Sequence, residues 1–95
     1  MSQEKEPYEL KLYVAGCTPR SLMAIDNFNA LCDEHLRGRC VTEIIDILLD
    51  PKRAGTDQII ATPTLVKKSP GMLLKMVGTL SDIGKIAAAL HLKLT

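Results

Sequence analysis

Three cysteines and two histidines are the side chains in this sequence whose ordinary pKa values best suit them to nucleophilic, proton-carrying or soft metal-ligating roles near neutral pH. Cys17 has the most suggestive setting. It directly precedes Thr18-Pro19, a helix start in which threonine caps and proline takes the first helical position. Unsatisfied N–H groups at such a helix start draw a thiol toward thiolate. A resolving thiol would be needed three residues on, and Arg20 stands there instead. Cys17 could therefore work only as a monothiol, with Arg20 favouring its thiolate and glutathione as its partner. The competing reading is a small loop residue without chemistry. Cys32 falls on the apolar side of a helix and Cys40 opens a strand. His35 and His91 lie near helix C-termini, where a cation is favoured. None of these has metal-ligand spacing. Paired carboxylates, a phosphate-binding glycine loop and a Ser/His/Asp arrangement are also absent, so we expect no catalytic residue, metal or cofactor.

Ninety-five residues make one domain over 1–95, with a core just large enough to stand without staples. The chain is 46% hydrophobic but only 3% aromatic, so aliphatic side chains must fill that core. Twelve basic against eleven acidic residues leave a net charge of +1, no footprint for nucleic acid or an anionic membrane. No apolar run approaches the roughly 20 residues of a membrane span. Residues 1–7 are polar, lack a signal-peptide core and read as a flexible lead-in. An odd cysteine count with no motif suits a reducing compartment, and the expected location is cytoplasmic.

Residues 10–16 alternate Leu10, Leu12 and Val14 with Lys11 and Tyr13, a half-buried strand stopped by Gly16. After Pro19, Leu22, Ile25, Phe28 and Cys32 recur at helical spacing, with Ala24, Leu31 and Leu36 widening the stripe and Gly38 ending it. Residues 40–49 are rich in β-branched side chains and form a second strand. Strand, helix and strand in so short a span require parallel strands with a right-handed crossover. Asp50-Pro51 repeats the cap-plus-proline start for a short helix to Gln58. Residues 63–68 and 73–77 form a hairpin about Ser69-Pro70-Gly71. Ser81-Asp82 caps a last helix over 83–92, with Ile83, Ile86, Ala87 and Leu90 on one face.

Pro63 lacks the N–H a central strand would use, so it must open a strand, and Thr62 before it is pushed to extended geometry. A cis Thr62–Pro63 bond would turn the chain from helix into strand; a trans proline opening the strand is the alternative. The order βαβαββα, with helices on both faces of a mixed sheet ordered 2-1-3-4, is the thioredoxin-like layout. It leaves the second strand at an edge with free backbone.

Leu10-Lys11-Leu12-Tyr13-Val14-Ala15-Gly16, Thr18-Pro19, Ser21, Ile45-Asp46, Pro51 and Ala61-Thr62-Pro63-Thr64-Leu65 together resemble the KaiB family of the bacterial circadian clock. The likeness runs without gaps from about residue 8 to residue 90. It implies a non-enzymatic adaptor that binds the N-terminal ATPase ring of a KaiC-type protein through residues 51–58. It further implies a KaiA-like protein or a histidine kinase on the second strand around Val41 and Glu43. Positions matching family contact residues are Met23, Val41, Glu43, Pro51, Gln58, Leu74 and Lys75. Only Lys75 keeps a basic charge, and Glu43 reverses one. The family is also metamorphic: a thioredoxin-like monomer exchanges with a homotetramer of order βαββααβ. Tyr8, Pro63, Ala89 and His91 match positions governing that exchange. The family carries glycine and aspartate at the last two, so this chain's alanine and histidine favour a C-terminal helix.

Overall fold

The computed structural model describes residues 7–92, so apart from exposed Pro7 the expected lead-in lies outside the described residues. The elements are β1 (Tyr8–Val14), α1 (Pro19–His35), β2 (Cys40–Asp46), α2 (Pro51–Thr56), β3 (Thr64–Ser69), β4 (Leu74–Val77) and α3 (Ile83–Ala89). They build one four-stranded sheet of order β2-β1-β3-β4. β1 pairs parallel with β2 and antiparallel with β3, and β3 pairs antiparallel with β4. The expected thioredoxin-like layout is therefore present, and the chain does not follow the βαββααβ order. Thr62–Pro63 is cis as expected; Ser69–Pro70 is cis as well, which the sequence reading did not anticipate.

Alternation along β1 separates two cores. Leu10, Leu12 and Val14 join Leu65 under Ala24, Phe28, Leu31 and Leu36 from α1 and its end, with Ile86 and Leu90 from α3. Each large apolar side chain buried this way contributes about 1.5–3 kcal/mol. The opposite face holds a smaller cluster of Tyr13, Ile45 and Val66, flanked by Ile47 and Ile59.

Several boundaries differ from the sequence reading, each for a local reason. β1 begins earlier, where the Tyr8 amide donates to Arg39 O at 2.8 Å. β2 stops at Asp46 rather than residue 49, because the Asp46 side chain turns the chain. Its Oδ1 accepts from the amides of Gly16 and Leu48, each at 3.0 Å. The buried stripe of α1 is Ser21, Ala24, Phe28 and Leu31, and Leu22 is 50% exposed. Ser21 turns inward because its hydroxyl bonds the Thr18 hydroxyl and Ala15 O, which fixes the helix rotation. Thr18 caps as expected, accepting from the Ser21 amide at 3.1 Å. Asp50 holds the cap position of α2 without making a side-chain cap bond, and Ile83 is 39% exposed rather than core-facing.

The last helix ends at Ala89, short of the expected residue 92, and Tyr8 and His91 meet at its end. The Leu92 amide donates to Ala87 O at 2.8 Å and the His91 amide to Ala88 O at 3.2 Å. This is the Schellman arrangement, which needs a left-handed residue after the cap. His91 supplies it with φ 60. It thus contributes through its backbone, beside the interaction with the helix dipole expected from sequence. The Tyr8 hydroxyl donates to Leu90 O at 2.8 Å, satisfying a carbonyl the helix leaves open. Replacing His91 with glycine removes the left-handed penalty and should stabilise this fold by about 1 kcal/mol. Tyr8→Phe should destabilise it by about 1 kcal/mol. Urea midpoints at unchanged slope measure both, and a midpoint lowered by His91→Gly would contradict the capping role.

Candidate partner-binding face

The segment from α2 to Gln58 crosses the face of the sheet that α1 and α3 leave open, and it is tied to every strand by a polar contact. On β2, Glu43 receives both Arg53 guanidinium nitrogens, each at 2.7 Å. This bidentate bond holds the Glu43 carboxyl below its usual range and keeps Arg53 cationic. On β1, the Tyr13 hydroxyl donates to Asp57 Oδ2 at 2.5 Å. On β3, the Lys68 ammonium donates to Asp57 Oδ1. On β4, Lys75 Nζ donates to Gln58 O at 3.4 Å.

Asp57 is the centre of this layer. It is only 6% exposed, and burial alone would raise its pKa. The bonds from Lys68 and Tyr13 outweigh burial and hold the carboxyl below its ordinary value. Burial, then the bond to Asp57, pushes the Tyr13 phenol well above its ordinary range.

Sequence reading missed this network. Tyr13 alternates with apolar residues and reads as solvent-facing beside Lys11, whereas α2 covers it completely. The available signal was a lone tyrosine on an otherwise aliphatic strand, together with an acid at the end of a short helix.

The expected contact positions divide. Pro51 and Gln58 lie exposed at the two ends of the α2 segment, and Val41 and Glu43 stand on the β2 edge. Lys75 joins them through Gln58, and Leu74 lies half-buried beside it on β4, the opposite edge of the sheet. Met23, 49% exposed, lies on α1 across the sheet from α2. Glu43, read from sequence as a free reversed charge, is neutralised by Arg53. Between the strand ends and α2, Leu48 is 67%, Leu49 84% and Ile60 98% exposed. These three large apolar side chains were not singled out from sequence.

Cys17 is exposed, and Cys32 and Cys40 are half-buried against the main core. Burial and the neighbouring Cys40 push the Cys32 thiol up to about 12, which keeps it inert. Among the described residues, no group of three or more His, Cys, Asp or Glu side chains gathers to hold a metal ion. No described helix is long and apolar enough to cross a membrane.

Comparison with known proteins settles the kinship. The family model described as the KaiB domain matches residues 11–92. The chain belongs to the KaiB family. It is 42% identical over 92 residues to the circadian clock oscillator protein KaiB of Cyanothece sp., covering 97% of this chain and 88% of the relative. It is 41% identical to KaiB1 of Synechocystis sp. over the same shares. The solution structure of the N-terminal domain of Synechococcus elongatus SasA has TM-score 0.71 at 20% identity, covering 96% of this chain and 90% of that one. Chloroplastic thioredoxin z also gives 0.71 at 20% identity, covering 92% and 80%. These two likenesses establish the thioredoxin-like fold.

The Asp57 centre makes a pH prediction. A carboxyl depressed in the folded state contributes its full stability above the unfolded value, near pH 4, and loses it as pH falls through the lower folded value. Asp57→Asn should destabilise the protein by about 3 kcal/mol at neutral pH, since it leaves Lys68 without its counter-charge. It should also flatten the decline in stability below about pH 4. Denaturation midpoints across that range measure this, and an unchanged acid limb would contradict it.

Proposed function

We propose that this KaiB-family chain is a single-domain, non-enzymatic adaptor in clock or stress-response signalling. It docks on the N-terminal ATPase ring of a KaiC-type protein through the α2 face, as a monomer in the present fold. The observation that carries this reading is the set of exposed apolar side chains at the two ends of a helix tied to the sheet by polar contacts. α2 buries none of its own residues, while Leu48, Leu49 and Ile60 stand beside it in solvent. An apolar centre with a polar rim is the anatomy of a docking patch, and the Glu43–Arg53 pair and Lys75 supply that rim. A further partner, a KaiA-like protein or a histidine kinase, would pair with the β2 edge, where Val41 is 60% exposed. Because Glu43 is tied to Arg53, this edge offers a neutralised pair where relatives are basic, which alters partner choice more than fold.

Pull-down and titration against a KaiC-type protein, with and without ATP, test the reading. Leu49→Asp with Ile60→Asp should weaken binding at least about tenfold, and Cys17→Ser should leave it unchanged. Undiminished binding by the double variant would overturn the assignment of this face. Glutathione-dependent reductase turnover that disappears in Cys17→Ser would instead support the monothiol oxidoreductase reading.

A further inference from the structure

A second surface lies away from α2, at the other edge of the sheet. A groove of about 510 Å³ runs between β4, the loop from Gly78 to Asp82 and the first turns of α1 and α3. Three cations from three elements line it, Arg20, Lys75 and Lys85. Its one carboxylate, Asp82, accepts the Lys85 amide as the α3 cap. Arg20 and Lys85 are exposed, and neither enters an ion pair among the described residues.

One wall of this groove is a strand edge with unpaired backbone. The Gly78 amide donates to Pro63 O at 2.9 Å, so Gly78 faces β3. In an antiparallel pair such inward-facing residues alternate with outward-facing ones. Met76 and Leu74 therefore turn their backbone groups to β3, while Lys75 and Val77 turn theirs outward. β4 ends the sheet, so those groups meet no strand. The loop beyond is already fixed: Leu80 is buried with φ 64, and Asn27 Nδ2 donates to Thr79 O at 2.8 Å.

We propose that β4 accepts an extended acidic segment of a partner protein as a fifth strand, a site apart from the β2 edge that borders the α2 face only at Lys75. The outward backbone groups of Lys75 and Val77 would supply the ladder. Alternate side chains of the added strand fall on opposite faces of the sheet. Those on the α1 and α3 face meet Arg20 and Lys85. Those on the other face meet the Lys75 ammonium, with Val77, 66% exposed, beside it. Carboxylates are thus favoured on both faces. A second copy of this chain is the wrong occupant, because pairing β4 with itself would bring two sets of these three cations together.

The probes are two blocked hexapeptides, one alternating glutamate with valine or threonine, the other carrying lysine for glutamate. Amide NMR at millimolar peptide should show shifts along β4 with the acidic peptide alone, and slowed exchange at the Lys75 and Val77 amides. Arg20→Glu with Lys85→Glu should reduce affinity at least about tenfold. Val77→Pro removes one outward donor and should weaken binding too; unchanged Met76 and Leu74 amides verify its fold. Shifts confined to Val41 and Glu43, equal binding of both peptides, no shift at all, or indifference to charge reversal would each overturn the proposal. Binding of a KaiC-type protein by the Arg20 and Lys85 double variant keeps this outcome distinct from that of the α2 face.

Discussion

A short helix with no buried side chain of its own is held on this sheet by one buried carboxylate. Asp57 takes the Tyr13 hydroxyl and the Lys68 ammonium together, and so joins the end of α2 to the two central strands. The geometry of the surface follows from that anchor. With Asp57 fixed, Arg53 one turn earlier reaches Glu43 on one edge, and the Gln58 carbonyl reaches Lys75 on the other. A chain with one phenylalanine and two tyrosines cannot fill both faces of a sheet with aromatic bulk. It packs one face with a large aliphatic core and supplements a smaller apolar cluster on the other with charge and hydrogen bonds. Directional bonds set the orientation of α2 more closely than a few apolar contacts do.

The same economy governs the two sheet edges. Each bears exposed backbone, a liability that natural sheets blunt with charge. β2 carries Glu43 neutralised by Arg53, whereas β4 carries Lys75 beside Arg20 and Lys85. The edges therefore differ in charge, one neutralised and the other cationic. Specificity built this way depends as much on repelling the wrong segment as on attracting the right one.

Much of this was legible in the sequence because local signals and the global fold agree. The strand alternation of Leu10, Leu12 and Val14, the Thr18-Pro19 helix start and Pro63 at the head of β3 each led to the observed element. The strand order followed from the crossover rule. What stayed hidden depended on contacts distant in the chain. Tyr13 is buried only because α2 covers it, and Glu43 is charge-paired only because Arg53, ten residues on, turns back to it. Likewise, the rotation of α1 was set by a Ser21 hydroxyl rather than by its apolar stripe. The exposed trio Leu48, Leu49 and Ile60 was unreadable for a related reason. Apolar residues in a chain this aliphatic look like core until the fold shows them in solvent.

The sheet and the two short helices of the second half are held by different balances of force. β1 and α1 share the large aliphatic core with Leu65 of β3, Leu80, Ile86 and Leu90, so its stabilisation is spread over many side chains. The two short helices of the second half attach through fewer side chains. α2 rests on Asp57 and Arg53; α3, seven residues long, rests on Ile86, Ala87 and Leu90 and on its closure at His91. A seven-residue helix does not persist in water without tertiary support. Discrete ties of about 1 kcal/mol each let a few substitutions move an equilibrium between packings by factors of ten. In this chain Ala89 favours helix through its propensity, His91 closes the helix at the cost of a left-handed backbone, and Tyr8 satisfies the Leu90 carbonyl. The end of the last helix therefore depends on three residues acting through three separate physical mechanisms.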